Sequence, residues 1–374
     1  AAELLGLKEV PTLRIDHLTE AEKRSYVIAD NRLAEKAGWD KEILAMELRA
    51  LIDLDVDVTV TGFDIPEVDL IIGEFSPDNR DDDVETENAL PKKPAVTCLG
   101  DLFLLDRHRL LCGDSLLSES FEALMQGEKA SIIFEDPPFN VRVSGFVAGR
   151  GKAKHREFAM ASGEMSESEF ADFLNRSFAV TAQNMEPGAV AYVCMDWRHV
   201  AETIMAGKGA LGDLLNLCVW AKSNAGMGSF YRSQHELVLV FRNSGAPHRN
   251  NVELGKHGRN RSNVWNYRGA NAFGSTRLAD LEAHPTVKPV NLVADALLDA
   301  SRRGDVVLDP FGGSGTTLMA AHKTGRRARL IEIDPLYCDH IIRRFENHTG
   351  KAATHADTGE TFEELCARRR TGAK

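Results

Sequence analysis

Asp136-Pro137-Pro138-Phe139 closes the apolar run Ser131-Ile132-Ile133-Phe134-Glu135, and its residue types define what it can bind. The Asp136 carboxylate and the Pro137 carbonyl only accept hydrogen bonds, while the two prolines stiffen the chain and remove two backbone donors. Phe139 adds an aromatic face. A rigid acceptor edge beside a ring suits a planar molecule with an exocyclic amino group, such as adenine or cytosine. A strand ending in an ordinary capped Pro turn would use the same residues, so the tetrapeptide alone identifies nothing.

About 170 residues later the chain runs Asp305-Val306-Val307-Leu308-Asp309-Pro310-Phe311-Gly312-Gly313-Ser314-Gly315-Thr316-Thr317. This pattern predicts a strand, a glycine loop, and a helix to about His322 with Gly325 as its stop. Glycines 312, 313 and 315 let backbone approach a ligand closely and present helix N-terminal amides to its negative end. A second strand, Ala328 to Ile333, carries Glu332 and then Asp334 at its end, about 20 residues past the loop, where a carboxylate can hydrogen-bond ribose hydroxyls. Of the two, Glu332 is the preferred ribose partner. Thr317 and Leu318 break the G-x-G-x-x-G pattern, and no Gly-Lys-Ser/Thr follows, so neither a dinucleotide loop nor a P-loop is matched. A ligand with ribose and a carboxylate but no phosphate fits, and S-adenosylmethionine is of that kind; a nicotinamide cofactor is the competing reading.

Together these motifs resemble the amino-methylating DNA methyltransferases, which act on adenine N6 or cytosine N4. Asp-Pro-Pro-Phe precedes the Phe-Gly-Gly-Ser-Gly loop, which is the permuted order of the β group. The resemblance spans roughly residues 97–350. It implies Asp136, Pro137, Pro138 and Phe139 as catalytic residues. It implies Asp114, Lys288, Asp309, Phe311, Gly312, Gly313, Gly315, Thr316, Glu332 and Asp334 on the S-adenosylmethionine side, with Asp114 (in Cys112-Gly113-Asp114) at the adenine and Lys288 in His284-Pro285-Thr286-Val287-Lys288-Pro289. Tyr231-Arg232-Ser233-Gln234-His235-Glu236 opens an apolar strand that matches a later catalytic-domain block. Asp at the first motif position leans towards adenine N6, since the cytosine-N4 enzymes more often carry Ser. Phe139 replaces the commoner Tyr and keeps the stacking face.

These motifs need strands to carry them. Candidates are 109–112, 131–135, 189–194, 217–222, 236–241, 305–309 and 328–333. The expected fold is an α/β, Rossmann-like, doubly wound methyltransferase sheet. The pair around 217–241, lacking a crossover helix, forms its antiparallel edge hairpin. Glu135 should point to the opposite side of its strand from Asp136. Trp197 and Trp220 are expected to pack.

At 374 residues the chain can hold two domains. Thr19-Glu20-Ala21-Glu22 reads as a capping box opening a helix to about Lys36, and Asp40 caps a second carrying Ile43, Leu44, Leu48, Leu51 and Ile52 at helical spacing. Leu18 to Glu22 and Ala29 to Leu33 resemble the latter part of a ParB-like domain, whose nucleotide-binding motifs would lie upstream. The expected organisation is a truncated ParB-like helical module over 1–73, without catalysis. An acidic linker follows over 74–96, then the methyltransferase domain over 97–350 with target-recognition inserts at about 141–165 and 242–283, and a C-terminal tail over 351–374.

The net charge of −11 looks wrong for a DNA binder until it is divided. Residues 1–97 hold 11 Lys and Arg against 23 Asp and Glu, whereas the remainder holds 34 against 33. Residues 141–156 carry five cations and no acid, and residues 242–277 carry seven cations against Glu253 alone. Cations on glycine-rich loops suit phosphate contacts, and Asn, Arg and Gln can read base edges. Arg142, Arg150, Lys152, Lys154, Arg232, Lys256, Arg259 and Arg261 are the expected contacts to duplex DNA.

The six cysteines show no C-x-x-C spacing, so no metal or disulfide framework is expected, and none sits as the nucleophile that cytosine C5 methylation requires. No membrane-spanning run or signal pattern is present, and the cysteines suit a cytoplasmic protein. The resemblance also allows a homodimer and a cognate restriction endonuclease as partners. The readings set against DNA amino-methylation are methylation of RNA or a free nucleoside, a nicotinamide-dependent oxidoreductase, and a non-enzymatic DNA-binding or partition adaptor.

Overall fold

The computed structural model describes residues 17–33, 40–54, 56–74, 94–141, 163–223, 225, 230–252, 254, 261–267 and 287–371. Residues 75–93 of the expected linker, most of both recognition inserts, and Arg142, Arg150, Lys152, Lys154, Lys256 and Arg259 lie outside them, while Val96 at the linker's end is buried in a hydrophobic core, not solvated. The chain divides into two compact units, residues 1–79 and 80–374.

The first unit is helical. Thr19 and Glu22 form the expected capping box, with the Glu22 N–H donating to Thr19 Oγ1 at 3.3 Å and the Thr19 N–H donating to Glu22 Oε2 at 2.7 Å, and open the helix Glu20–Leu33. The Asp40 carboxylate accepts from the N–H groups of Glu42 and Ile43 and starts the helix Lys41–Asp53. A third helix, Ile65–Glu74, completes the unit. Ile28, Leu44, Leu48, Leu51, Val58, Phe63, Val68 and Ile72 form a core of their own. Ile43, expected on that face, is exposed.

The second unit is built on a ten-stranded sheet among the described residues: β1 (Leu102–Leu105), β2 (His108–Cys112), β3 (Ala130–Glu135), β4 (Met185–Met195), β5 (Asp213–Ala221), β6 (His235–Arg242), β7 (Val264–Asn266), β8 (Val306–Asp309), β9 (Arg327–Glu332) and β10 (Thr354–His355). Their order is β10-β1-β2-β9-β8-β3-β4-β6-β5-β7. The strands β2, β9, β8, β3 and β4 run parallel. Their apolar side chains alternate between two cores, one holding Ile132, Phe134 and Val307, the other Ile133, Leu308 and Val193. From β8 the chain proceeds to β9 on one side, and from β3 to β4 on the other. The β8–β3 boundary is therefore the switch point of the sheet, where ligands bind beyond the carboxyl ends.

β5 and β6 pair antiparallel as expected, but they are not the edge. β7, three residues from within the recognition insert, adds parallel to β5 outside them. It is too short to carry a periodic signal. Trp265 of this strand is buried. The expected C-terminal tail is also corrected: β10 pairs with β1, and the helix Phe362–Thr371 places Phe362 and Leu365 in the core, where Phe362 lies edge-on to Phe103 at 5.9 Å. Only a partner distant in sequence gives these residues something to bury against.

Candidate active site

β3 and β8 lie side by side in register, Ile132 opposite Val307 and Ile133 opposite Leu308. The chain segments leaving both strands therefore meet at the switch point. They share one open cavity, and residues from both segments line it. Asp136, Pro137, Pro138 and Phe139 line one side. Asp309, Phe311, Gly312, Gly313 and Thr316 line the other, with Glu332 and Asp334 from the end of β9. The spatial meeting of Asp136 with Gly313, on which the whole reading depends, is present.

The glycine loop is shaped as its composition demands. Gly315 takes φ +79° at the head of the helix Thr316–Thr324, and Gly325 stops that helix at φ +73°. A Cβ at Gly315 would crowd Ile341 at 3.1 Å, and one at Gly312 would meet the Ile331 carbonyl at 3.3 Å. Glu332 Oε2 accepts from the Gly313 N–H at 2.7 Å, and its Oε1 accepts from the Asp334 N–H at 2.8 Å. Asp309 Oδ1 accepts from the Phe311 N–H. Burial nevertheless pushes the Glu332 and Asp309 carboxyls up to about 7 each, against those hydrogen bonds.

Asp114 is not among the residues lining the cavity; its carboxylate turns back to accept from the Leu116 N–H, and Ser115 reaches the wall instead. Lys288 does line the cavity, but not in the expected way. Its ammonium donates to Asp136 Oδ2 at 2.6 Å and lies 3.0 Å from Glu236 Oε2. It also stands over the Phe139 ring, 5.4 Å from the centroid. Lys222 bonds the other oxygen of Glu236. The expected cofactor-side lysine is thus bonded to the target side. Asp136 Oδ1 is shielded from solvent and has no hydrogen-bond partner among the described residues.

Glu236 and Lys222 were missed as site residues. Glu236 opens an apolar strand, and an antiparallel strand starts at the edge where parallel strands end. Had β6 been oriented from sequence, its first carboxylate would have stood out. Glu135 does point away from Asp136; it is fully buried with neither oxygen partnered among the described residues. Burial, reinforced by Asp309, raises its carboxyl to about 8, which favours the protonated form near neutral pH.

The described cations of the second insert are committed internally. Arg261 bonds Asp295, Asp299 and the Tyr267 hydroxyl, Arg249 bonds Asp305 at 2.5 Å, and Arg242 bonds Asp213. The phosphate contact expected of Arg261 is corrected to an internal role, because those two carboxylates come from the helix Val290–Ala300, which no local pattern brings near. Arg232 is exposed and donates to the Ala225 carbonyl at 2.8 Å, next in sequence to the exposed rings of Phe230 and Tyr231. Trp220 packs inside as expected, whereas Trp197 is half exposed.

Comparison with known proteins agrees with this layout. The DNA methylase family model matches residues 130–343, more than half the chain, and the ParB-methyltransferase HTH domain model matches residues 42–99. The Type II methyltransferase M2.DpnII of Streptococcus pneumoniae is 26% identical over 242 residues, covering 61% of this chain and 88% of that protein. The Type II methyltransferase M.HpaI of Haemophilus parainfluenzae is 24% identical over 255 residues, covering 64% and 74%. A solved DNA modification methylase of Thermus thermophilus, complexed with S-adenosyl-L-methionine, is 23% identical with a TM-score of 0.45, covering 68% of this chain and 96% of that one. With its acceptor motif ahead of its glycine loop and a ParB-like segment before both, the chain belongs to the N6/N4 DNA methylases, in the β-group arrangement.

Proposed function

We propose that the protein transfers a methyl group from S-adenosylmethionine to the N6 amino group of an adenine flipped out of duplex DNA. The observation that carries this reading is Asp136 Oδ1, a buried acceptor without a partner among the described residues, at the wall of the cavity that the glycine loop also lines. An amine donor is what such an atom lacks.

The cofactor side fits the same ligand. Gly312 and Gly313 present bare backbone to the cavity, and the lack of a Cβ at Gly312 and Gly315 lets the loop pack closely on Ile331 and Ile341. Asp309, Glu332 and Asp334 supply acceptors suited to an ammonium and to ribose hydroxyls, while Phe311 and Tyr337 offer aromatic walls. S-adenosylmethionine, when bound, supplies a methyl carbon already activated by its sulfonium. Asp136 and the Pro137 carbonyl would accept the two amino hydrogens, drawing the nitrogen lone pair out of conjugation and aiming it across the cavity. Phe139 would stack on the base, offsetting part of the few kcal/mol that unstacking costs. As the acceptor of one of those N–H groups, Asp136 Oδ1 would be the atom to take the proton that the methylated nitrogen sheds. Position and electrostatics together can lower the barrier by several kcal/mol.

Asp136 as first motif residue supports adenine over cytosine. The test is incubation with mixed-sequence duplex DNA and labelled cofactor, followed by nucleoside mass analysis. N6-methyladenine is expected; N4-methylcytosine would overturn the base assignment, and absence of label in both would overturn the activity. Asp136→Ala should bind cofactor normally and transfer no methyl group, and methylation by that variant would refute the role of Asp136.

A further inference from the structure

Lys288 joins a line of four alternating charges that starts at the cavity. Asp136 meets Lys288 at 2.6 Å, Lys288 meets Glu236 at 3.0 Å, and Glu236 is bonded in turn by Lys222. The four groups come from four separate places: the end of β3, the segment before the helix Val290–Ala300, the start of β6, and the residue after β5. The Lys288 carbonyl is held from behind by the Thr316 hydroxyl at 3.3 Å. Two charges of each sign balance, so no net charge is left buried, and Lys288 and Glu236 keep only 4% and 7% of their side-chain surface.

An ion pair serving stability alone would be expected to satisfy both oxygens of its carboxylate, since an unpaired buried oxygen is costly. Here one oxygen of Asp136 is held and the other has no partner among the described residues. The arrangement has two chemical consequences. Fixing Oδ2 stops the carboxylate from rotating, so Oδ1 is presented in one direction. The adjacent ammonium also favours the ionised form of Asp136, opposing the upward push of its burial. A neutral carboxyl could turn an O–H towards the amine, reversing the hydrogen bond that draws out the lone pair.

We infer that Lys288, held in place by Glu236 and Lys222, is a positioning residue for methyl transfer, which locks one oxygen of Asp136 and keeps the other as an anionic acceptor for the target amine. This rests on the reading of Asp136 given above. The groups around Asp136 support it. Burial pushes its carboxyl up, Lys288 and Lys222 oppose that, and Glu236 adds to it. Cys194 on β4 and Asp309 on β8 face the same cluster, with the Cys194 thiol kept protonated by burial. Lys288 itself is held charged by Asp136 and Glu236 despite its burial. Without it, Asp136 would titrate at higher pH.

The test is single-turnover methyl transfer across pH, at saturating duplex DNA and S-adenosylmethionine, for Lys288→Met, Lys288→Arg, Lys222→Met and Asp136→Ala, with cofactor affinity by calorimetry. Lys288→Met should lose ~100-fold or more in rate at neutral pH, recover part of it at alkaline pH, and keep its cofactor affinity within about twofold. Lys288→Arg should restore part of the rate. Lys222→Met, at a partly exposed site, should move the acid limb of the profile upwards by a smaller amount. If Lys288→Met does not fold, Lys222→Met decides. An unmoved acid limb in whichever lysine variants fold overturns the inference, as does a Lys288→Met that loses cofactor affinity while keeping its rate at saturation. An active Asp136→Ala sinks the reading of Asp136 itself. An inactive Asp136→Ala beside an unmoved lysine profile sinks only the role of Lys288.

Discussion

Asp309 and Glu332 face the glycine loop with carboxyls raised to about 7 by burial. Each is therefore partly protonated near neutral pH, and a ligand bearing positive charge would favour the ionised form of both. Binding a cationic ligand then releases protons. Because the raised values lie near 7, affinity for S-adenosylmethionine should rise with pH from about 6 to 8 and level off once both carboxyls are ionised before binding. Calorimetry in two buffers of different ionisation enthalpy reads the proton release directly, and a binding enthalpy independent of buffer would contradict it. These carboxylates were legible in sequence from their positions at strand ends. Their protonation was not, because it depends on how deeply the neighbouring strands bury them.

At the scale of elements, the helix Val200–Ala210 lies so close to β6 that Gly207 has no room for a side chain. A Cβ there would fall 2.2 Å from Cζ of Phe241. Gly207→Ala should destabilise the protein by about 1–3 kcal/mol through overpacking, although Ala is the better helix former. Urea denaturation checks it, and an unchanged or raised midpoint would mean that the helix can lift off β6 without loss. The glycine loop and the five central parallel strands were readable, because a buried apolar run bounded by turn residues is a local signal. β1, β7 and β10 were not. All three are short; β7 and β10 are strands only because partners distant in sequence supply their hydrogen bonds, while β1 pairs with β2 across the two-residue turn Asp106-Arg107.

At the scale of the whole molecule, the two units have separate cores: Leu44, Leu48, Leu51 and their neighbours in one, and the layers either side of the sheet in the other. A chain beginning at residue 94 should therefore fold and bind S-adenosylmethionine within about twofold of the full chain. The acidic excess lies in residues 1–97, so the shortened chain should also bind non-specific duplex DNA more tightly at low salt, with the difference shrinking as salt is added. Calorimetry and a salt titration of DNA binding measure these effects, and a shortened chain that fails to fold would show the first unit to be part of the second's stability. Among the described residues no helix is long and apolar enough to cross a membrane.

The linear chain alone determined the family, the acceptor motif, the glycine loop and their order, since each is written in contiguous residues whose types limit what they can bind. Tertiary structure decided which of those residues act together. Lys288 was assigned to the cofactor side by its place in a motif, yet it bonds Asp136 because β6 brings Glu236 to the same edge. Arg261 was assigned to DNA by its neighbours in sequence, yet it is drawn in by Asp295 and Asp299. Charges pair by distance in space, and local residue patterns carry no record of a partner from another strand or helix.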